Sequence, residues 1–112
     1  MKEEIENAII NGSLAEEKAI PSIRTLSQQY RLNPQTISNA FNELMNEGLL
    51  FKKRGIGMFV ERDAQEKLRL QKIKEFREVE LKKTIRKGKT LGVKKAEVHI
   101  AVDKFYSDGG GK

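Results

Sequence analysis

Cysteine is absent from all 112 residues, which excludes a disulfide framework and any thiolate metal site. One histidine, His99, cannot bind a metal alone, so no metal and no cofactor is expected. Tryptophan is also missing and aromatic residues make up only 6%, so the core must be small and mostly aliphatic. Nowhere do about 18 apolar residues run together, the length needed to cross a bilayer. The start, Met1-Lys2-Glu3-Glu4, lacks the apolar stretch of a secretory signal. The expected compartment is the cytoplasm, with no membrane partner. With no cysteine, one histidine, no framed pair of acids and no phosphate-loop motif, nothing here recommends an enzyme.

The length suits one small domain with an appendage. Charged residues reach 34%, and a core this small gains from surface buried against another subunit. An oligomer is therefore expected. The net charge of +6 invites a nucleic-acid partner, but it is unevenly spread. Lys and Arg against Asp and Glu stand at 8 to 8 over residues 1–62 and 14 to 8 over residues 63–112. Within the first half, cations gather only at Lys52, Lys53 and Arg54, so local pattern outweighs total charge.

Ile5, Ala8 and Ile9 fall at i, i+3 and i+4 and mark a first helix, which Asn11-Gly12 ends. After a polar stretch from Ser13 to Lys18, Pro21 discourages helix before it and Ser22 can cap a second helix, from about Ile23 to Tyr30. That helix is expected to bury Ile23, Leu26 and Tyr30. Only a tight turn fits before Asn33, a favoured N-cap, and Pro34, pre-set for the first helical position. Ile37, Ala40, Phe41 and Leu44 then repeat at i, i+3, i+4 and i+7, leaving Gln35, Thr36, Ser38, Asn39 and Asn42 on or beside the outer side. Past Gly48, Leu49 to Lys53 and Met58 to Arg62 read as paired strands joined by Arg54-Gly55-Ile56-Gly57. The sum is a helix-turn-helix followed by a β-wing.

From Ala64 to about Lys89 the composition favours a long helix, with Leu70, Ile73, Phe76, Leu81 and Ile85 forming a discontinuous apolar seam. Leu91-Gly92 marks its stop, and Val98, Ala101, Val102 and Phe105 repeat the stripe in a short final helix. Gly109-Gly110-Gly111 reads as a disordered tail. About 50 residues beyond the wing leave no room for a pocket of a few hundred Å3 inside one subunit, although a crevice between subunits could supply one. The sequence names no small-molecule effector.

Each signal has an ordinary explanation when taken alone. A polar-faced amphipathic helix is common, paired glycines usually answer a positive φ, and the basic run Lys82 to Lys89 can be the wet side of a helix or approach phosphates or an acidic partner. His99 suits a surface or a subunit face. Taken in order, however, Ile20-Pro21-Ser22-Ile23-Arg24, Asn33-Pro34-Gln35-Thr36-Ile37, Asn46-Glu47-Gly48-Leu49-Leu50 and Arg54-Gly55-Ile56-Gly57-Met58-Phe59-Val60 resemble the hallmark blocks of GntR-type bacterial transcription regulators. Asparagine-proline at the recognition helix, with so short a tail, resembles the YtrA-like branch.

The resemblance implies a DNA-contacting role for Arg24 and Ser22 at the start of the second helix. It implies the same for Asn33, Gln35, Thr36, Ser38 and Asn39 on the recognition helix, and for Arg54, Gly55 and Gly57 on the wing. Gln can pair bidentately with adenine, and Thr can bond a phosphate or touch a thymine methyl. The chain departs from the family in having Ser38 and Asn39 where many relatives place an arginine, and Met58 where threonine is usual.

The expected architecture is α+β. A winged helix-turn-helix head over residues 1–62 binds DNA, a two-helix region over 63–108 dimerises through Leu70, Ile73, Phe76, Leu81, Ile85, Val98, Val102 and Phe105, and a disordered tail covers 109–112. The expected function is a homodimeric regulator, a repressor by resemblance, on a palindromic operator in double-stranded DNA. The branch resemblance suggests a transporter operon as target. A winged-helix module for protein or RNA interaction is the alternative, since a fold alone does not decide function.

Overall fold

The computed structural model describes residues 1–107, so the tail expected at 109–112 lies outside the described residues. In chain order the elements are α1 (Lys2–Ile10), α2 (Ile23–Tyr30), α3 (Pro34–Asn46), β1 (Leu50–Lys53), β2 (Gly57–Val60), α4 (Ala64–Glu75), a π-helical turn (Phe76–Glu80), α5 (Leu81–Leu91) and α6 (Lys95–Ser107). The chain divides into two compact units between Lys72 and Ile73.

In the first unit the apolar stripes of the sequence meet. Ile5 and Ile9 of α1, Leu26 of α2, and Ile37, Ala40, Phe41 and Leu44 of α3 are buried together with Leu49, Leu50 and Val60. Fully burying one such aliphatic side chain contributes about 1.5–3 kcal/mol. Ala64 and Leu68 of α4 complete this core, so the head takes in the opening turns of the helix that follows the wing. Long-range contacts fasten that helix, among them Gln65 Nε2 donating to Ile10 O at 2.8 Å and Lys67 Nζ donating to Glu47 O at 2.9 Å. The Glu16 carboxylate accepts from the backbone N–H of Asp63 and of Gln65, both at 3.1 Å, capping the α4 start from 47 residues away. Lys72 Nζ lies 3.0 Å from Oε1 of the buried Glu6, the partner a buried carboxylate requires.

Ser22 caps α2 as expected, its Oγ accepting from Thr25 N at 3.1 Å. Tyr30, expected in the core, is instead 45% exposed, and Ile23 is only half-buried. Tyr30 sits in the last turn of α2, past Leu26, where its ring borders an open cleft with Ile5 and Ala8. Arg31 then adopts the left-handed conformation, φ 54°. Ser27 Oγ donates to Leu32 O at 2.7 Å across the same turn, setting the short link to α3.

The wing strands pair antiparallel, Leu50 with Val60, Phe51 with Phe59, Lys52 with Met58 and Lys53 with Gly57. They are slightly shorter than the expected runs. A third edge joins them unannounced: Ile20 N donates to Met58 O at 2.9 Å, Glu17 N donates to Val60 O at 2.7 Å, and Ala19 bridges Phe59. The polar stretch before α2 is thus partly a sheet edge.

In the second unit, the π-helical turn explains why the seam looked discontinuous. Leu81 N–H bonds to Phe76 O, an i to i+5 repeat that matches the five-residue gap between those two apolar positions. Gly92, at φ 84°, ends α5. The apolar sides of α5 and α6, with Leu81, Ile85, Val98, Val102 and His99, border an open cleft of about 580 Å3. This is an open groove between two short helices filled by few large side chains, not an enclosed ligand pocket.

Candidate nucleic-acid interface

The start of α3 is built by its own residues. Asn33 Oδ1 accepts from Gln35 N at 2.7 Å and Pro34 occupies the first turn. With one row of α3 committed to the core through Ile37, Ala40, Phe41 and Leu44, the side chains of Gln35, Thr36, Asn39 and Asn42 are exposed while Ser38 is half-buried. Gln35 Nε2 donates to Asn39 Oδ1 at 2.9 Å, one helical turn on, so these two amides form a ready pair of donors and acceptors. Asn33 and Ser22 already spend their side-chain oxygens on capping. Neither is as free for a ligand as its type suggested.

A cleft of about 370 Å3 joins three elements of the head. Ser22 and Arg24 border it from the start of α2, Phe41 from α3, and Lys52, Ile56, Gly57 and Met58 from the wing. Arg24 and Lys52 thus share one opening, although the sequence separates them by 28 positions. Register explains the second cation: Lys52 pairs with Met58 and alternates away from Phe51 and Phe59, whose rings stack at 5.6 Å. Lys53 lies on that other face, its Nζ 4.6 Å from the Phe59 ring centre, a cation–π contact that holds the charge in place. Reasoning from motifs singled out Arg54 but passed over Lys52 and the 72% exposed Ile56. Strand alternation around the glycines was the signal available for Lys52.

Gly55 and Gly57 take φ of 78° and 144°, and a Cβ built on either meets nothing within 4 Å. Backbone conformation, not crowding within the protomer, calls for glycine here. Arg54 and Gly55 are exposed at the tip and do not border the cleft. Among the described residues no group of His, Asp and Glu could hold a metal ion. No helix among them is long and apolar enough to cross a membrane.

A capped three-helix head with a two-stranded wing, carrying cations at the start of α2 and along the hairpin, defines a winged helix-turn-helix protein. Residues 1–60 match the family described as bacterial regulatory proteins, gntR family, and the chain belongs to that family. Its members are regulators that bind DNA, not enzymes. The chain is 34% identical over 76 residues to the HTH-type transcriptional repressor NagR of Bacillus subtilis (strain 168), covering 68% of this chain and 31% of NagR. It is 28% identical over 106 residues to the HTH-type transcriptional repressor YtrA of the same organism, covering 95% of this chain and 81% of YtrA. It therefore spans less than a third of NagR but most of YtrA. A GntR family transcriptional regulator from Listeria monocytogenes superposes with a TM-score of 0.77 at 25% identity, covering 92% of this chain and 89% of that one.

Proposed function

We propose that the protein is a cytoplasmic transcription repressor that binds a palindromic operator in double-stranded DNA as a homodimer and blocks a promoter by occupying it. The carrying observation is the exposed Gln35–Asn39 pair at the start of α3, in a head whose Arg24 and Lys52 share one cleft. In this reading Gln35, Thr36, Ser38 and Asn39 meet base edges and phosphates in the major groove, while Ser22, Arg24, Asn33, Arg54, Gly55 and Gly57 approach the backbone. The repressor names of NagR and YtrA support the sign of regulation.

Dimerisation is assigned to the region after the wing. Leu70, Ile73, Phe76, Leu81, Ile85, Val98, Val102 and Phe105 are all more than a third exposed in the protomer, an apolar surface that a second copy would cover. Two recognition helices would then enter successive major-groove faces about 34–36 Å apart. Fluorescence anisotropy on the protein's own promoter region checks the reading. Tighter binding than to random DNA is expected, with Arg24→Ala and Arg54→Ala each lowering the dimer's salt slope by about 1.8, at about 0.9 per phosphate contact and one contact per protomer. Ile85→Asp should shift light scattering from dimer to monomer and weaken operator binding at least tenfold. Equal affinity for promoter and random DNA, or preference for structured RNA, would overturn it.

A further inference from the structure

Between Leu81 and Ala96 the chain carries seven lysines and arginines and no acid. On α5, Lys82, Arg86 and Lys89 follow the i, i+4, i+7 row, and Lys83 and Lys87 occupy the next row. Leu81, Thr84, Ile85 and Gly88 fall on the opposite side and border the α5–α6 cleft. All five cations are exposed. None makes an ion pair or side-chain hydrogen bond among the described residues. Like charges four apart weaken a helix, so the stripe works against α5 itself. A merely solvated face mixes signs, as α4 does where Arg69 Nη2 sits 2.6 Å from Glu66 Oε1.

We propose that this outer face of α5 is a second phosphate-binding surface that grips the backbone of duplex DNA. The inference rests on the DNA-binding reading above. Phosphate neutralisation supplies much of the affinity for DNA, yet α3 has no lysine or arginine and residues 1–62 are formally neutral. The reading head thus brings a few local cations, Arg24, Lys52 and Arg54 among them, but no net positive charge, whereas the tail holds a surplus. From Lys82 to Lys89 the stripe runs about 10 Å at 1.5 Å per residue, a span of roughly three phosphates along one strand at 3.4 Å each. An anionic bilayer fits less well, because a helix lying on lipid buries its apolar side there, whereas the apolar side of α5 borders α6.

The test uses the full chain, the operator duplex and a five-site variant, K82Q/K83Q/R86Q/K87Q/K89Q, with the milder K82Q/R86Q beside it. Circular dichroism and light scattering establish that helicity and assembly persist. If two phosphates are met per protomer, the dimer's slope of log affinity against log salt should fall by about 3.6, at 0.9 per contact. Affinity should drop at least tenfold at physiological salt, while the ratio of operator to random binding stays within twofold, since backbone contacts carry no sequence information. A variant exchanging each lysine for arginine, and Arg86 for lysine, should bind as the native chain does. An unchanged slope in both glutamine variants overturns the proposal while leaving the head's role intact. So does loss of binding to phosphatidylserine vesicles with DNA binding unaltered. Native protein that fails to prefer the operator sinks the underlying DNA reading instead.

Discussion

The two units of the chain solve opposite problems. Every buried apolar side chain of the described residues lies between Ile5 and Leu68, whereas from Ile73 to Ser107 none is buried and large apolar groups such as Phe76, Ile85 and Phe105 face outward. The head closes a core of its own; the tail forms helices without closing one. Isolated helices of about 12–15 residues are marginal in water, so the tail's amphipathic helices depend on being covered. Electrostatics divides the same way, with Lys2 lying 2.6 Å from Glu47 in the head while the α5 cations stand unpaired among the described residues.

That contrast can be broken by substitution. Leu44→Ala, at a fully buried site, should cost about 2–5 kcal/mol, read by denaturant unfolding, whereas Ile85→Ala should leave the head's transition unmoved and act only through protein concentration. A dilution-independent loss of equal size at Ile85 would show that the tail has a core of its own. Gly48 separates α3 from the wing at φ 75°, and an added Cβ would lie 2.8 Å from Lys67 Nζ, the far end of a flexible side chain. Gly48→Ala should therefore cost about 1–2 kcal/mol, mainly from left-handed strain, seen as a lower Tm.

The smallest effect concerns pH. The Glu47 carboxylate raises the Lys2 ammonium above its ordinary 10.5, with Glu43 adding to it. A raised cationic pKa stabilises fully below the unfolded value, and the gain disappears as pH climbs through the folded one. Head stability should thus decline above pH 10.5, by well under about 1 kcal/mol because the pair is a third exposed and solvent-screened. Lys2→Met should flatten that decline in urea titrations at successive pH values.

Much of the head was legible because its signals are local. Ser22 and Asn33 cap the helices they were expected to cap, the 3.6-residue stripes of α1 and α3 became the core, and the glycines at 55 and 57 mark the hairpin through their own backbone preference. The recognition-helix face was readable for the same reason, since burying Ile37, Ala40, Phe41 and Leu44 leaves Gln35 and Asn39 outside. Residues 17–20 escaped notice because pairing onto β2 depends on a strand some 40 positions away, with no alternation to advertise it. Strand alternation sets Lys52 on the face opposite Phe51 and Lys53, but that it opens into one cleft with Arg24 depends on how the wing packs beside α2.

By itself the order of residues determined which segments become helices, where they stop, and which side of each is apolar, because caps, glycine freedom and side-chain periodicity act within a few positions. Tertiary structure alone decided that Glu16 caps α4, that Lys72 reaches Glu6, that Tyr30 stays out of the core, and that Arg24 and Lys52 open into one cleft. Those outcomes join groups far apart in the chain. Their energies depend on distance and burial after packing, quantities that do not exist until the core has formed.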